Sequence, residues 1–475
     1  MEGSGEQRRD WIPQGRVRRA VPVAGLAART AGEAVVAALR GKRTPNAKAE
    51  FYARTAERYT DVFGSSKGAL MKAGQAMSFV SLGPAIPVEF QTAWRAALGR
   101  LRADAPPMAP ELAREVLAQE LGQRAEQAFV EFDWEPLAAA SIGQVHAARL
   151  ADGRRVAVKL QYPGVAAAIR ADLKNHELLA TFLGLLLGIS PYRMRVSHRA
   201  IARELGARIT EELDYELEAA NQAEFARLYR GHPFIHVPEV VGELSTARVL
   251  TQELVQGAGW EEALGAEQGL RDSWGEVIYR FAYGSVQRFG LMNGDPHPGN
   301  YLFHDDGSVS FLDFGCVKRL SKPLVDRNTA IMRACLRGNM SETWRAAVEA
   351  GVWDPSDAVT PAEGFAFWRD AFRFCWDEQP FTITPDYAAA FIERRYLPTG
   401  PSSNALRHAR VPPADYALLS RMDIGAISVL GDLRATNSWG SIVAGYLEST
   451  PPTTEIGKAE QTWLSGSAVT ADAWS

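Results

Sequence analysis

Two short polar loops constrain this chain more than any other feature. The first is Asn293-Gly294-Asp295-Pro296-His297-Pro298-Gly299-Asn300, and the second, Asp313-Phe314-Gly315, begins 13 residues after Asn300. Between them, residues 301–303 and 309–312 read as two short strands around the turn Asp305-Asp306-Gly307. A hairpin of that size returns the chain to its starting point. It places an Asp, an Asn five residues later and a second Asp within one local structure. Carboxylate and amide oxygens are the hard donors that Mg²⁺ prefers. Either loop alone would be a weak signal; the ordered pair is a specific one.

The remaining parts of a phosphoryl-transfer site can be sought upstream. Protein-kinase-like enzymes use an Asp to accept the proton of the attacking hydroxyl, an Asn five residues on to ligate Mg²⁺, and the Asp of a D-F-G to ligate the metal between phosphates. Val156-Ala157-Val158-Lys159 ends a strand-like stretch after the turn Asp152-Gly153, and matches the V-A-I-K pattern whose Lys holds the α/β-phosphates. A Gly-rich loop should precede it by about 15 residues. The residues there are Ala138-Ala139-Ala140-Ser141-Ile142-Gly143-Gln144-Val145. Gly143 and Val145 match G-x-G-x-x-G-x-V, whereas Ala138 and Ala140 replace the first two glycines. Alanine disfavours positive φ and adds a methyl group, so this loop is expected to hold a nucleotide differently, with Ser141 offering a hydroxyl. An Ala-rich helix start capped by Ser is the competing reading. The acidic partner of the Lys is sought in residues 211–221. On one helix Asp214, Glu218 and Gln222 share a face, while Glu212 lies about 200° from Asp214. Spacing alone does not choose among these carboxylates.

Together these residues resemble the UbiB/AarF family of atypical, protein-kinase-like kinases, which is linked to ubiquinone biosynthesis. The matching elements are Lys72-Ala73-Gly74-Gln75 (K-x-G-Q), the Ala138–Ser141 segment, Lys159, Glu212-Leu213-Asp214 (E-x-D), the helix carrying Glu218, and the two polar loops. The resemblance runs from about residue 26 to 337, with weaker helical similarity to about 446. It implies an α+β, bilobal protein-kinase-like fold with a helical N-terminal extension and additional C-terminal helices. It implies ATP and Mg²⁺ as cofactors. Lys159 and Glu218 would form an ion pair, Asp295 would be the catalytic Asp, and Asn300 and Asp313 the metal ligands. Ala138, Ala139, Ala140, Ser141, Gly143, Val145, Lys159, Glu253 and Leu254 would contact the nucleotide. Lys72, Gly74, Gln75, Glu212 and Asp214 would be regulatory, the K-x-G-Q helix lying over the active site with its Lys near the E-x-D carboxylates.

Departures from conventional protein kinases are equally informative. Gly294 precedes Asp295 where H-R-D carries Arg, and no A-P-E follows Asp313-Phe314-Gly315. His297, between two prolines, reads as a structural residue of its loop, and Cys316 as a quiet thiol. The chain lacks the apolar C-terminal spans of many family members. Its longest apolar stretch, residues 178–189, is 12 residues long and reads as a buried helix, since a span needs about 20.

Composition narrows the partners. With 52 Lys+Arg against 56 Asp+Glu, the net charge of −4 gives no support to nucleic-acid binding. Three cysteines without a Cys-x-x-Cys suit a reducing, cytoplasmic setting and offer no zinc site. Residues 1–48 carry ten Lys/Arg against four Asp/Glu, a net +6, so the other 427 carry −10 by subtraction. That arm suits peripheral contact with an anionic membrane or packing on its own protein. The expected organisation is a basic arm (1–48), a helical extension (49–130), an N-lobe with a helical insertion (131–257), a C-lobe with further helices (258–446) and a flexible tail (447–475). The leading expectation is ATP hydrolysis or phosphoryl transfer to an isoprenoid lipid, quinone precursor or other small molecule. A small-molecule kinase of the aminoglycoside/choline type and a nucleotide-gated scaffold are the alternatives.

Overall fold

The structure, a computed structural model, describes residues 107–140, 142–173, 210, 213–396, 403–410 and 414–466. The basic arm, Lys72, Gly74, Gln75, Ser141, Glu212 and the apolar stretch 178–189 lie outside the described residues. The chain divides into two compact units, Met1–Leu217 with Val241–Glu253, and Glu218–Val240 with Leu254–Ser475.

The described part of the first unit is an antiparallel sheet with helices. Helices α1 (Pro110–Leu121) and α2 (Gln123–Ala128) lead into β1 (Phe129–Phe132), β2 (Ala138–Ala140), β3 (Gly143–Leu150) and β4 (Arg155–Gln161), then α3 (Val165–Leu173). Strand β6 (Val249–Glu253) completes the order β1-β3-β4-β6, with β2 paired on β3. Alternation along β3 and β4 separates the faces. Gln144, His146, Val158, Leu160 and Thr251 are fully buried on one, whereas Val145, Ala147 and Lys159 are half-buried on the other. Polar groups on the buried face are satisfied locally. The Gln144 Oε1 atom accepts from the Met108 N–H at 2.7 Å, and His146 Nδ1 lies 2.9 Å from the Asp133 carbonyl. A carbonyl only accepts, so Nδ1 carries the proton and Nε2 accepts from Gln144, 2.9 Å away. Burial lowers the pKa of His146 and favours this neutral form.

The second unit is mainly helical. It holds most of α4 (Tyr215–Leu228), then β5 (Ile235–His236), α5 (Trp260–Leu264) and the long α6 (Gln268–Phe289). After α6 come β7 (Leu291–Asn293), β8 (Tyr301–Phe303), β9 (Val309–Phe311) and β10 (Val317–Arg319). Helices α7 (Lys322–Leu336), α8 (Met340–Glu349) and α9 (Pro361–Ala371) follow. The last elements are β11 (Phe381–Thr382), α10 (Pro385–Tyr396), α11 (Ser403–His408), α12 (Ala414–Asp432), β12 (Thr436–Asn437), α13 (Trp439–Glu448) and α14 (Glu455–Gly466). Helix α6 runs through the core with most of its residues buried. Its Phe281 stacks on Phe311 with ring centroids 3.7 Å apart, and its Trp274 indole donates to the His304 carbonyl at 3.0 Å, tying the β8–β9 hairpin to the helix. Gly290 ends α6 at φ +63°, a left-handed conformation that costs most residues about 1–2 kcal/mol. That reversal starts β7, the strand that delivers the first polar loop.

One sequence expectation is corrected here. Residues 449–475 read as a loose tail, yet Glu455–Gly466 form α14. Its Glu460 is 1 % exposed and is bound by Arg280 Nη1 at 2.7 Å and Arg288 Nη1 at 2.5 Å, both from α6. Arg280 also reaches Glu276 at 2.7 Å, and Thr454 donates to Glu276 at 2.5 Å. Burial opposes the charge on Glu460, but Arg288, His232 and Arg280 outweigh it and hold its carboxyl well below the usual carboxylate range. A Ser/Thr/Pro-rich composition describes the segment before this helix; the partners that fold the helix lie 172 and 180 residues away in sequence.

Candidate active site

The two polar loops meet as the sequence spacing predicts. Strands β8 and β9 pair antiparallel, Tyr301 opposite Phe311 and Phe303 opposite Val309. Strand β10 pairs with β7, Val317 opposite Asn293. The Leu312 N–H donates to the Asn300 carbonyl at 2.9 Å, and the Gly294 N–H to the Cys316 carbonyl at 2.7 Å, closing both ends of the arrangement.

Side chains then join the loops. The Asn293 amide nitrogen donates to the Asp313 carbonyl at 2.8 Å, while its Oδ1 accepts from the Asp295 N–H at 3.0 Å. One residue therefore orders both loops, and the sequence reading assigned it no such role. Its signal was present: an Asn two residues before a loop Asp is the usual opening of an Asx-turn. Asn300 donates through Nδ2 to the Asp295 Oδ2 at 3.0 Å. The Gly315 N–H donates to Asp313 Oδ1 at 2.9 Å. His297 accepts from the Gly299 N–H through Nδ1 at 3.0 Å, the structural role expected for it. Phe314 is fully buried, 5.0 Å from Phe225 between ring centroids, and its carbonyl receives the Asn221 amide at 3.1 Å. Beneath the first loop, a Cβ added to Gly425 would stand 2.3 Å from Pro296 Cγ, so α12 supports the loop at backbone distance.

The donor set suits a divalent cation. Asp313 supplies a carboxylate, and Asn300, whose amide nitrogen is engaged by Asp295, supplies an amide oxygen. Among the described residues no three His, Cys, Asp or Glu side chains gather into a metal cluster. A mixed Asp/Asn pair completed by phosphate oxygens and water fits Mg²⁺ better than an all-protein cage would.

The first unit carries the other sequence-derived residues. Ala138–Ala140 form strand β2, paired with β3 so that Ala138 opposes Val145 and Ala140 opposes Gly143. The Ala-rich segment is thus half of a tight hairpin and not a helix start, and an extended backbone accepts alanine without strain. Gly143 is required by crowding: an added Cβ would lie 2.1 Å from the Leu160 carbonyl oxygen. Lys159 stands on central strand β4, between Val145 and Leu250, with its Nζ 4.9 Å from the centre of the Tyr215 ring. Tyr215 is fully buried, and spacing gave no hint of its place over the Lys.

The acidic candidates separate. Asp214 precedes α4 and caps it, its Oδ1 accepting the N–H groups of Glu216 at 3.1 Å and Leu217 at 3.3 Å. It therefore does not share the helical face of Glu218 and Gln222. In the second unit those two are buried one turn apart, Glu218 at 3 % exposure, and Gln222 donates to the Pro238 carbonyl at 2.8 Å. Glu253 ends β6, and Leu254 follows it. The buried thiol of Cys316 accompanies the second loop.

Residues 100–346 match the family model described as an ABC1 atypical kinase-like domain, just over half of the chain. The chain belongs to the ABC1 (UbiB/AarF) family of atypical kinases. Among curated relatives, the mitochondrial atypical kinase COQ8B of Rattus norvegicus is 31 % identical over 345 residues, covering 71 % of this chain and 63 % of the relative. COQ8 of Saccharomyces cerevisiae, also mitochondrial, is 30 % identical over 296 residues, 62 % of this chain and 57 % of the relative. The chloroplastic protein ACTIVITY OF BC1 COMPLEX KINASE 1 of Arabidopsis thaliana is 36 % identical over 225 residues, 47 % of this chain and 33 % of the relative. The chain thus spans between one third and two thirds of the length of these relatives. A solved structure, the Rv3197–erythromycin complex from Mycobacterium tuberculosis, superposes with a TM-score of 0.61 at 31 % identity, covering 87 % of this chain and 99 % of that one. The fold is protein-kinase-like. Among the described residues, no helix is long and apolar enough to cross a membrane.

Proposed function

We propose that this member of the family is a Mg²⁺-dependent ATP-binding kinase or ATPase acting on, or regulated by, a small or lipid-like molecule of quinone or isoprenoid-lipid metabolism. The observation that carries the reading is the Asn293–Asp295–Asn300–Asp313 network, since only a few residue types in this order satisfy both proton transfer and hard-cation binding. Asp295 would take the proton of the attacking hydroxyl or water, oriented by Asn300 on its carboxylate and Asn293 on its backbone. Asp313 and Asn300 would hold Mg²⁺, which neutralises charge on the transferring phosphoryl group. Lys159 would bind the α/β-phosphates and pair with Glu218. Ala138, Ala139, Ala140, Ser141, Gly143, Val145, Glu253 and Leu254 would complete the nucleotide contacts. Lys72, Gly74, Gln75, Glu212 and Asp214 would regulate access, and the basic arm would meet an anionic membrane peripherally. Residues 131–257 and 258–446 would be the two lobes.

A test compares ATP turnover of the full chain alone, with an isoprenoid-quinone precursor, and with anionic liposomes. Stimulation by either addition is expected; a flat response to both contradicts the lipid part of the reading. Rv3197 in complex with erythromycin favours a second reading, in which the small molecule is a macrolide-like macrocycle. Erythromycin therefore belongs in the same assay, and stimulation by it alone would favour that second reading.

A further inference from the structure

We propose that Gln252 reads the base of the nucleotide, its amide oxygen accepting a hydrogen bond from the exocyclic amine of adenine. This rests on the ATP reading above and adds the residue that distinguishes ATP from 6-oxopurine nucleotides.

Sheet register places the residue. Gln252 on β6 lies opposite Ala157 on β4, and Leu250 lies opposite Lys159. Ala157 and Lys159 in turn lie opposite Ala147 and Val145 on β3. Residues directly opposite in antiparallel strands point to the same face. Gln252 therefore shares a face with Lys159, Ala157, Ala147 and Val145. On that face Val145, Ala147, Lys159 and Gln252 are half-buried and Ala157 and Leu250 are buried beside them, while Thr251 projects to the opposite, sealed face. Lys159 and Gln252 are two residues and one strand apart, an offset of about 8 Å from standard sheet spacings. One nucleoside phosphate is long enough to reach a phosphate-binding group at one end of that offset and a base-reading group at the other.

Hydrogen bonding supplies the second observation. The Gln252 Oε1 is buried with no hydrogen-bond partner among the described residues. Its neighbour Thr251 is fully provided for: the hydroxyl donates to the Leu244 carbonyl at 2.7 Å, and the N–H donates to Ser245 Oγ at 3.1 Å. An acceptor withdrawn from water and left unpaired is unfavourable, and only a donor relieves it. The Lys159 amine at the same face suits phosphate, which offers no N–H. The adenine 6-amino group offers two. A 6-oxopurine presents a carbonyl at that position and would set two acceptors against each other.

The test measures Mg²⁺-dependent binding of ATP and ITP to the full chain and to Gln252→Leu, which keeps the side-chain bulk and removes the amide. Wild type is expected to bind ATP at least about tenfold more tightly than ITP, and the variant to bind the two within about twofold. Purine riboside triphosphate, which lacks the 6-amino group, should bind wild type more weakly than ATP. Equal binding of ATP and ITP by wild type overturns the base reading and leaves the ATP reading standing; this arm holds even where the variant does not fold. A variant that keeps the wild-type preference overturns the assignment to Gln252. Failure of all three nucleotides to bind overturns the ATP reading, and the base reading with it.

Discussion

The second unit contains two carboxylates built into polar networks, and their surroundings are opposite. Glu460 is almost completely buried and receives two guanidinium groups from α6. Asp295 is half-buried at the end of a short strand, with the amide of Asn300 on its carboxylate and Asn293 on its backbone. A buried carboxylate locked between arginines contributes to holding α14 on the core but is poorly placed to exchange protons. A partly exposed carboxylate oriented by amides stays within reach of solvent and of a bound molecule. The difference separates a structural clamp from the proposed reactive site even though both are rich in charge and hydrogen bonds.

The comparison can be tested through stability. The largest effect is expected for Glu460→Ala, which leaves Arg280 and Arg288 buried without their shared counter-ion. Loss of one partner of a buried ion pair costs about 3–5 kcal/mol, so denaturant unfolding should show a midpoint well below wild type. A change under about 1 kcal/mol would remove the clamp from the account. Acid should reveal the same network. His232, pushed down by burial, and Glu460, held low by its arginines, both bind fewer protons folded than unfolded. Their stabilisation is present above their unfolded pKa values, near 6.5 and 4.3, and is lost as pH falls through and below them. Thermal unfolding between pH 7 and 4 should show a falling Tm, and Glu460→Gln should flatten the lower part of that fall.

Smaller effects belong to the loops. Asn293→Ala leaves the Asp295 N–H and the Asp313 carbonyl without their partner, at about 1–3 kcal/mol. It should also raise the Mg²⁺ concentration needed for half-maximal turnover, a readout that lost stability alone would not shift. Ala139→Gly, on the exposed side of β2, should cost about 0.5–1 kcal/mol from the looser chain. A stabilising result there would argue against a strand at that position.

What was legible in the sequence was short-range. The spacing of Asp295, Asn300 and Asp313 carries its own hairpin, so the residues that meet are those the pattern named. The strand position of Lys159 was legible from the tight turn before it, and β4 carries the residue two positions before its end. Three features were hidden because their causes lie elsewhere. Glu460 looked like part of a loose tail because its partners are on α6. Asp214 looked like a helical-face residue because its capping bonds appear only once the helix start is known. The Ala-rich segment also allowed a helix start, and only its pairing with β3 makes it a strand, while the approach of β4 explains Gly143.

The most direct test of the catalytic claim is Asp295→Asn, measured for both ATP turnover and Mg²⁺–ATP affinity. The substitution keeps the shape of the side chain and its hydrogen-bonding reach while removing its capacity to take a proton. The account predicts turnover lower by about 10²–10⁴-fold, with nucleotide affinity within a few-fold of wild type. Turnover that survives unchanged in this variant would contradict the assignment of Asp295 and with it the proposed catalytic site.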